Sequence, residues 1–196
     1  MNRVNRLRKT GLWLLALGVL GLTHVVTSHA ATSAAIDIKV SISATKSLSI
    51  GTTHYNFGAL AVNTSSVSAS AIAVTNDSGS LLETYTLQGA NAASTGGGTT
   101  WNIAASTGVI DEYVLAGQFS TAAPANDDTD WDNDALTTSA IPATDTVLGN
   151  GTHAQAGNGV SPLAGSNTRN LWFRIITPLY VTDVTQRNAT LTLAVQ

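Results

Sequence analysis

The sequence predicts an all-β protein, an antiparallel two-sheet sandwich of about eight or nine strands. Three observations predict it. Apolar and polar residues alternate in short runs rich in Val, Ile, Thr and Tyr, and helical periodicity is nearly absent. Clusters of Gly, Asn, Asp and Ser separate these runs. Only 11% of the 196 residues are charged, against 43% hydrophobic. That balance fits sheets whose wet faces carry Thr and Ser, good strand formers without charge.

The first thirty residues read as an address. Arg3, Arg6, Arg8 and Lys9 precede an apolar stretch over residues 11–26, followed by Thr27-Ser28-His29-Ala30. A basic start, an apolar middle and small residues at the −3 and −1 positions make a secretory signal peptide, with cleavage after Ala30. The uninterrupted apolar run, residues 11–23, falls short of the ~20 residues that span a bilayer. The mature chain is expected to be secreted without a transmembrane anchor, as a single domain over residues 31–196. Five basic residues then face twelve acidic ones, a net charge of −7. Nucleic acid is excluded as a partner, because phosphate neutralisation needs clustered Lys and Arg. With no Cys, disulfides, thiolate zinc sites and thiol nucleophiles are excluded as well.

The expected strands follow in order. Ile36, Ile38, Val40 and Ile42 alternate with Asp37, Lys39, Ser41 and Ser43. This first strand either folds into its own sheet, the plainer reading, or leaves to complete the sheet of a second copy. Leu48 with Ile50, and Tyr55 with Phe57, make two short runs. Ile72 and Val74 lead to a turn at Asn76-Asp77-Ser78-Gly79. Tyr85 with Leu87, and Trp101 with Ile103, follow. Tyr113, Leu115 and Phe119 share one parity, with Asp111-Glu112 as the polar start of their strand. Leu171, Phe173 and Ile175 oppose Trp172, Arg174 and Ile176, so Trp172 or Phe173 belongs to the core. Leu191, Leu193 and Val195 close the chain. Three loops are long: residues 89–100, 120–134 and 149–168.

Two stretches carry a resemblance. Tyr55-Asn56-Phe57-Gly58-Ala59-Leu60-Ala61-Val62, then Ser65-Ser66-Val67, then residues 72–79 (IAVTNDSG), resemble the opening of secreted bacterial Ig-like β-sandwich modules. Residues 171–175 (LWFRI) and 190–195 (TLTLAV) are similar to their closing strands. The resemblance covers about a third of the mature chain and implies a Greek-key topology and a structural or adhesive role. More loosely, the chain is similar to subunits of surface fibres and pili. No catalytic residue is implied.

Residues 127–134 (DDTDWDND) hold five Asp within eight positions, with Asp128, Asp130, Asp132 and Asp134 at every second one. Ca²⁺ takes six to eight oxygen ligands, and carboxylates spaced in a turning loop supply several. Against the EF-hand pattern, Asn133 replaces the glycine and Ser139 the final glutamate. These four Asp are therefore candidate Ca²⁺ ligands of a looser loop, and a solvated acidic loop is the plainer reading. Trp131 within the run is a plug onto the sandwich or a stacking surface, with the plug preferred; Trp101 is the second candidate stacking residue. His54 and His153 lie about a hundred residues apart and lack zinc-site spacing. Glu83 and Glu112 are the only glutamates, and no hydrolase or nucleotide-binding motif occurs. The expected function is a secreted, non-catalytic structural or surface protein, with a self-assembling fibre or matrix subunit as its more specific form. The alternative is a Ca²⁺-stabilised carbohydrate- or ligand-binding module that recognises surface glycans.

Overall fold

The computed structural model describes residues 39–41, 43–127 and 129–196. The chain divides into two units, Met1–Ser41 and Ile42–Gln196. Of the first, residues 39–41 are described; they are exposed and lie outside any strand. The expected signal peptide, Ile36, Ile38 and Ile42 lie outside the described residues.

The class is all-β, with no helix among the described residues. The strands are β1 (Leu48–Ile50), β2 (Ser65–Val67), β3 (Ile72–Asn76), β4 (Tyr85–Gln88), β5 (Ala93–Ser94), β6 (Asn102–Ile103), β7 (Glu112–Phe119), β8 (Ile141–Pro142), β9 (Thr168–Ile176), β10 (Arg187–Asn188) and β11 (Thr192–Val195). They form a six-stranded sheet, β1-β3-β9-β7-β6 with β2 also on β9, a three-stranded sheet, β11-β4-β8, and the pair β10-β5.

β9 is the spine of the larger sheet. On one side β7 pairs with it antiparallel, from Val114 opposite Ile176 to Phe119 opposite Leu171. On the other, β2 and β3 lie end to end, β2 against residues 174–176 and β3 against residues 168–171. Ser68 bridges the interruption between them. Its N–H donates to Phe173 O at 2.8 Å, and Phe173 N–H donates to Ser68 Oγ at 3.1 Å. The hydroxyl thus replaces a main-chain acceptor where the chain bulges, and neither buried group is orphaned.

One pairing departs from the antiparallel expectation, since β6 runs parallel to β7. The chain between them turns back through Asp111 at φ 57°. This aligns Asn102 N–H with Asp111 O at 2.7 Å and Ala104 N–H with Tyr113 O at 2.9 Å. A second departure is Tyr55–Phe57, whose alternation forms no strand. The two rings meet edge to face at 4.8 Å, and Gly58, at φ 74°, donates its N–H to Asn56 Oδ1 at 2.8 Å. A local Asx turn takes the backbone groups that a ladder would have used.

The core joins both larger sheets. Val74, Tyr113, Leu115, Phe119, Leu171 and Phe173 come from one, Tyr85 and Leu87 from the other, and Leu136, Leu148 and Val160 from the segments between strands. Phe173 is buried and Trp172 is half-buried, with the Trp172 indole N–H donating to Ser120 O at 3.1 Å. Gly117 lets Leu87 seat against the centre of β7, because a Cβ there would stand 2.8 Å from Leu87 Cδ2.

Alternation alone would leave Val114, Ala116 and Gln118 wet. All three are buried, so β7 is a two-faced central strand rather than a half-wet one. What covers its outer face is the acidic loop.

Candidate functional site

The acidic loop is nailed down by its own carboxylates. Asp127 Oδ1 accepts from the Thr129 hydroxyl at 2.8 Å and from the Asp130 N–H at 3.0 Å. Those bonds hold this exposed carboxyl below the usual range, the Thr129 hydroxyl most of all. Asp130 Oδ1 accepts from the Thr152 hydroxyl at 2.7 Å, and its Oδ2 from Ala125 N–H at 2.7 Å. The Thr152 hydroxyl leads in lowering its pKa. Asp130 thereby ties residues 120–134 to residues 149–168, joining two of the long loops.

Trp131 is 5% exposed and donates its indole N–H to Ala125 O at 2.7 Å. It packs over the outer face of β7 and β9. With Val114, Ala116, Asp132, Arg174 and Ile176 it lines a groove of about 350 Å³. The groove has an apolar floor, an indole wall, and Asp132 exposed at its rim. Arg174 is 8% exposed. Its Nε donates to Ser65 Oγ at 2.8 Å and its Nη1 to Asp127 O at 3.3 Å, which links β9, β2 and the loop. Asn133, at φ 64°, turns the chain beside the groove in a left-handed conformation that Asn tolerates better than most residues.

Further along the same face of β7 lies a buried polar cluster. Asp134 is 0% exposed; its Oδ1 accepts from Leu148 N–H at 2.6 Å and its Oδ2 from Gln118 Nε2 at 2.9 Å. Burial dominates and pushes this carboxyl up to about 7. Gln118 Nε2 also donates to Asp130 O, and Asn150 Nδ2 donates to Asp132 O at 2.6 Å. The amide oxygens of Gln118 and Asn150 are buried and accept no hydrogen bond.

The alternating aspartates therefore have different surroundings: Asp130 and Asp134 point into protein donors, and Asp132 is exposed. Asp128 lies outside the described residues. Among the described residues, no three His, Cys, Asp or Glu side chains converge on one point. Gln118 and Asn150 were not legible as site residues, since an amide amid Thr and Asn carries no sequence signal. Trp101 sits elsewhere, half-buried, with the Arg187 guanidinium 5.1 Å over its ring and Tyr113 at 6.3 Å. Arg187 is itself held by Asp183 at 2.8 Å. Glu83 is fully buried and accepts Ser47 N–H at 2.8 Å, anchoring the approach to β1.

No protein-family model, curated protein or solved structure matches the chain. Among the described residues, no helix is long and apolar enough to cross a membrane.

Proposed function

We propose that this chain is a secreted, non-catalytic structural protein, an Ig-like Greek-key sandwich that assembles with copies of itself by strand addition. One observation carries the reading. Val40, in the middle of the alternating segment Ile36, Ile38, Val40 and Ile42, is 83% exposed and belongs to no strand. An apolar alternating segment is adapted to a sheet edge. The body offers such edges, for β1 and β11 are terminal strands of their sheets. Electron microscopy and sedimentation of the purified secreted protein test the proposal. Filaments or higher oligomers are expected, and monodisperse monomers at high concentration overturn it. Deleting residues 31–44 separates the two roles of the segment. A folded monomer that no longer polymerises supports exchange, and a strongly destabilised one places the strand within its own sheet.

The groove favours a second reading, a ligand- or glycan-binding module. An indole wall with an exposed carboxylate at the rim is the kind of surface a sugar ring uses. A glycan screen of wild type against Asp132→Ala, which changes the exposed rim and leaves the Trp131 cover in place, decides it; no retention of the wild type on any glycan removes it.

A further inference from the structure

We infer that the buried cluster beneath the acidic loop is a Ca²⁺ site formed by the side-chain oxygens of Gln118, Asn150 and Asp134. The inference is independent of self-assembly. It uses only one of the four alternating aspartates.

The orphaned oxygens carry the argument. Gln118 is 0% exposed, and its Oε1 accepts nothing. Asn150 Oδ1 is in the same state. Neither amide is relieved by exchanging its ends, because the nitrogens already face acceptors: Asp130 O and Asp134 Oδ2 for Gln118, and Asp132 O for Asn150. A buried acceptor without a donor costs about 1–3 kcal/mol, and here two such acceptors lie in one neighbourhood. The turn after Asn150 is pressed onto the Gln118 amide, since a Cβ on Gly151 would fall 2.8 Å from Gln118 Oε1. Asp134 joins the cluster through the Gln118 nitrogen, which donates to its Oδ2; Leu148 N–H donates to its Oδ1, and an ionised carboxylate keeps further lone pairs on both oxygens. Burial opposes its charge.

The donor set selects the cation. All three groups are hard oxygens, two neutral amides and one carboxylate. Zn²⁺ prefers sulfur and nitrogen, and Mg²⁺ demands a near-ideal octahedron. Ca²⁺ accepts irregular arrays of carboxylate, amide and main-chain oxygens, completed by water. Held there, it would satisfy both amide oxygens and offset the Asp134 charge. It would also lock residues 120–134 and 149–168 onto β7.

The test uses the full secreted chain, stripped with EDTA and titrated with CaCl₂ by calorimetry. In parallel, Tb³⁺ luminescence is excited through Trp131, which lies in the same loop. One site per chain and a higher melting temperature in Ca²⁺ than in EDTA are expected. Asn150→Ala should weaken binding at least by the roughly tenfold that losing even an outer-shell partner costs. Asn150→Asp, which keeps an oxygen in place, should bind at least as tightly as wild type. Asp132→Asn, at the exposed rim, should bind unchanged. The inference is overturned by equal melting temperatures in CaCl₂ and EDTA with no Tb³⁺ signal, which would mean the amide oxygens meet only water. It is overturned equally if Asn150→Ala binds like wild type, or if Asp132→Asn abolishes binding and so moves the ion to the exposed run.

Discussion

Replacing Trp131 with Ala tests whether the acidic loop is a structural cover over β7 and β9. The indole is 5% exposed, and a buried Trp removes about 150–250 Å² from water. At ~25 cal/mol per Å² that surface contributes at most about 4–6 kcal/mol. Core Trp→Ala substitutions cost about 3–5 kcal/mol, a range that includes partial collapse of the site. The N–H bond to Ala125 O at 2.7 Å adds about 1 kcal/mol. A loss of about 3–5 kcal/mol is therefore expected, read as a lower urea midpoint at unchanged slope. For a body of this size it corresponds to a melting temperature roughly 10 °C lower. Trp131→Phe keeps most of the ring but loses the bond to the exposed Ala125, and should cost only about 0.5–1.5 kcal/mol. If Trp131→Ala costs under about 1 kcal/mol, as an ordinary surface substitution does, the indole is not a cover and the reasoning fails.

Three further outcomes follow from the same contacts. Gly117→Ala places a methyl 2.8 Å from Leu87 Cδ2 and should cost about 1–3 kcal/mol by overpacking; a thermal melt equal to wild type would show that the two strands have room to part. Ser68→Ala removes the hydroxyl that accepts Phe173 N–H and should cost about 1–2 kcal/mol, with faster amide exchange at Phe173; unchanged exchange there would count against the bulge. In EDTA, Asp134 has a folded-state pKa of about 7, above the ~3.9 of an unfolded Asp. Its neutral form favours the fold, so stability should rise as pH falls from about 7 towards about 4, by no more than about 4 kcal/mol. Below that window the lowered carboxyls of Asp127 and Asp130 take over, and stability falls. Urea midpoints across this range should flatten in Asp134→Asn, and an unaltered slope would exonerate Asp134.

The strands that were legible share a cause. β3, β4, β7, β9 and β11 are alternating runs with β-branched or aromatic residues, and an alternating face announces a core whatever it packs on. Glu112 begins β7 as its polarity suggested, whereas parity put either Trp172 or Phe173 in the core and the packing chose Phe173. The two-residue strands β5, β8 and β10 were not legible, because their pairing partners lie tens of residues away and supply the hydrogen bonds. Tyr55–Phe57 shows the converse: its alternation is real, yet an Asx turn and Gly58 leave it without a ladder. In the acidic loop the composition was legible, but the roles of its members were not. Equal spacing along the chain put Asp130 and Asp134 against protein donors and left Asp132 exposed at the groove rim.

By itself the sequence determined the all-β class, the main strands and the concentration of acid in one loop, because period and composition are local properties. Tertiary structure alone decided that this loop lies inward on β7, that Trp131 is a lid, and that Gln118 and Asn150 stand beneath the loop with unmet oxygens. Each of those facts depends on segments brought together from distant parts of the chain, and burial changes the chemistry of a carboxylate or amide in a way that its position in sequence does not reveal.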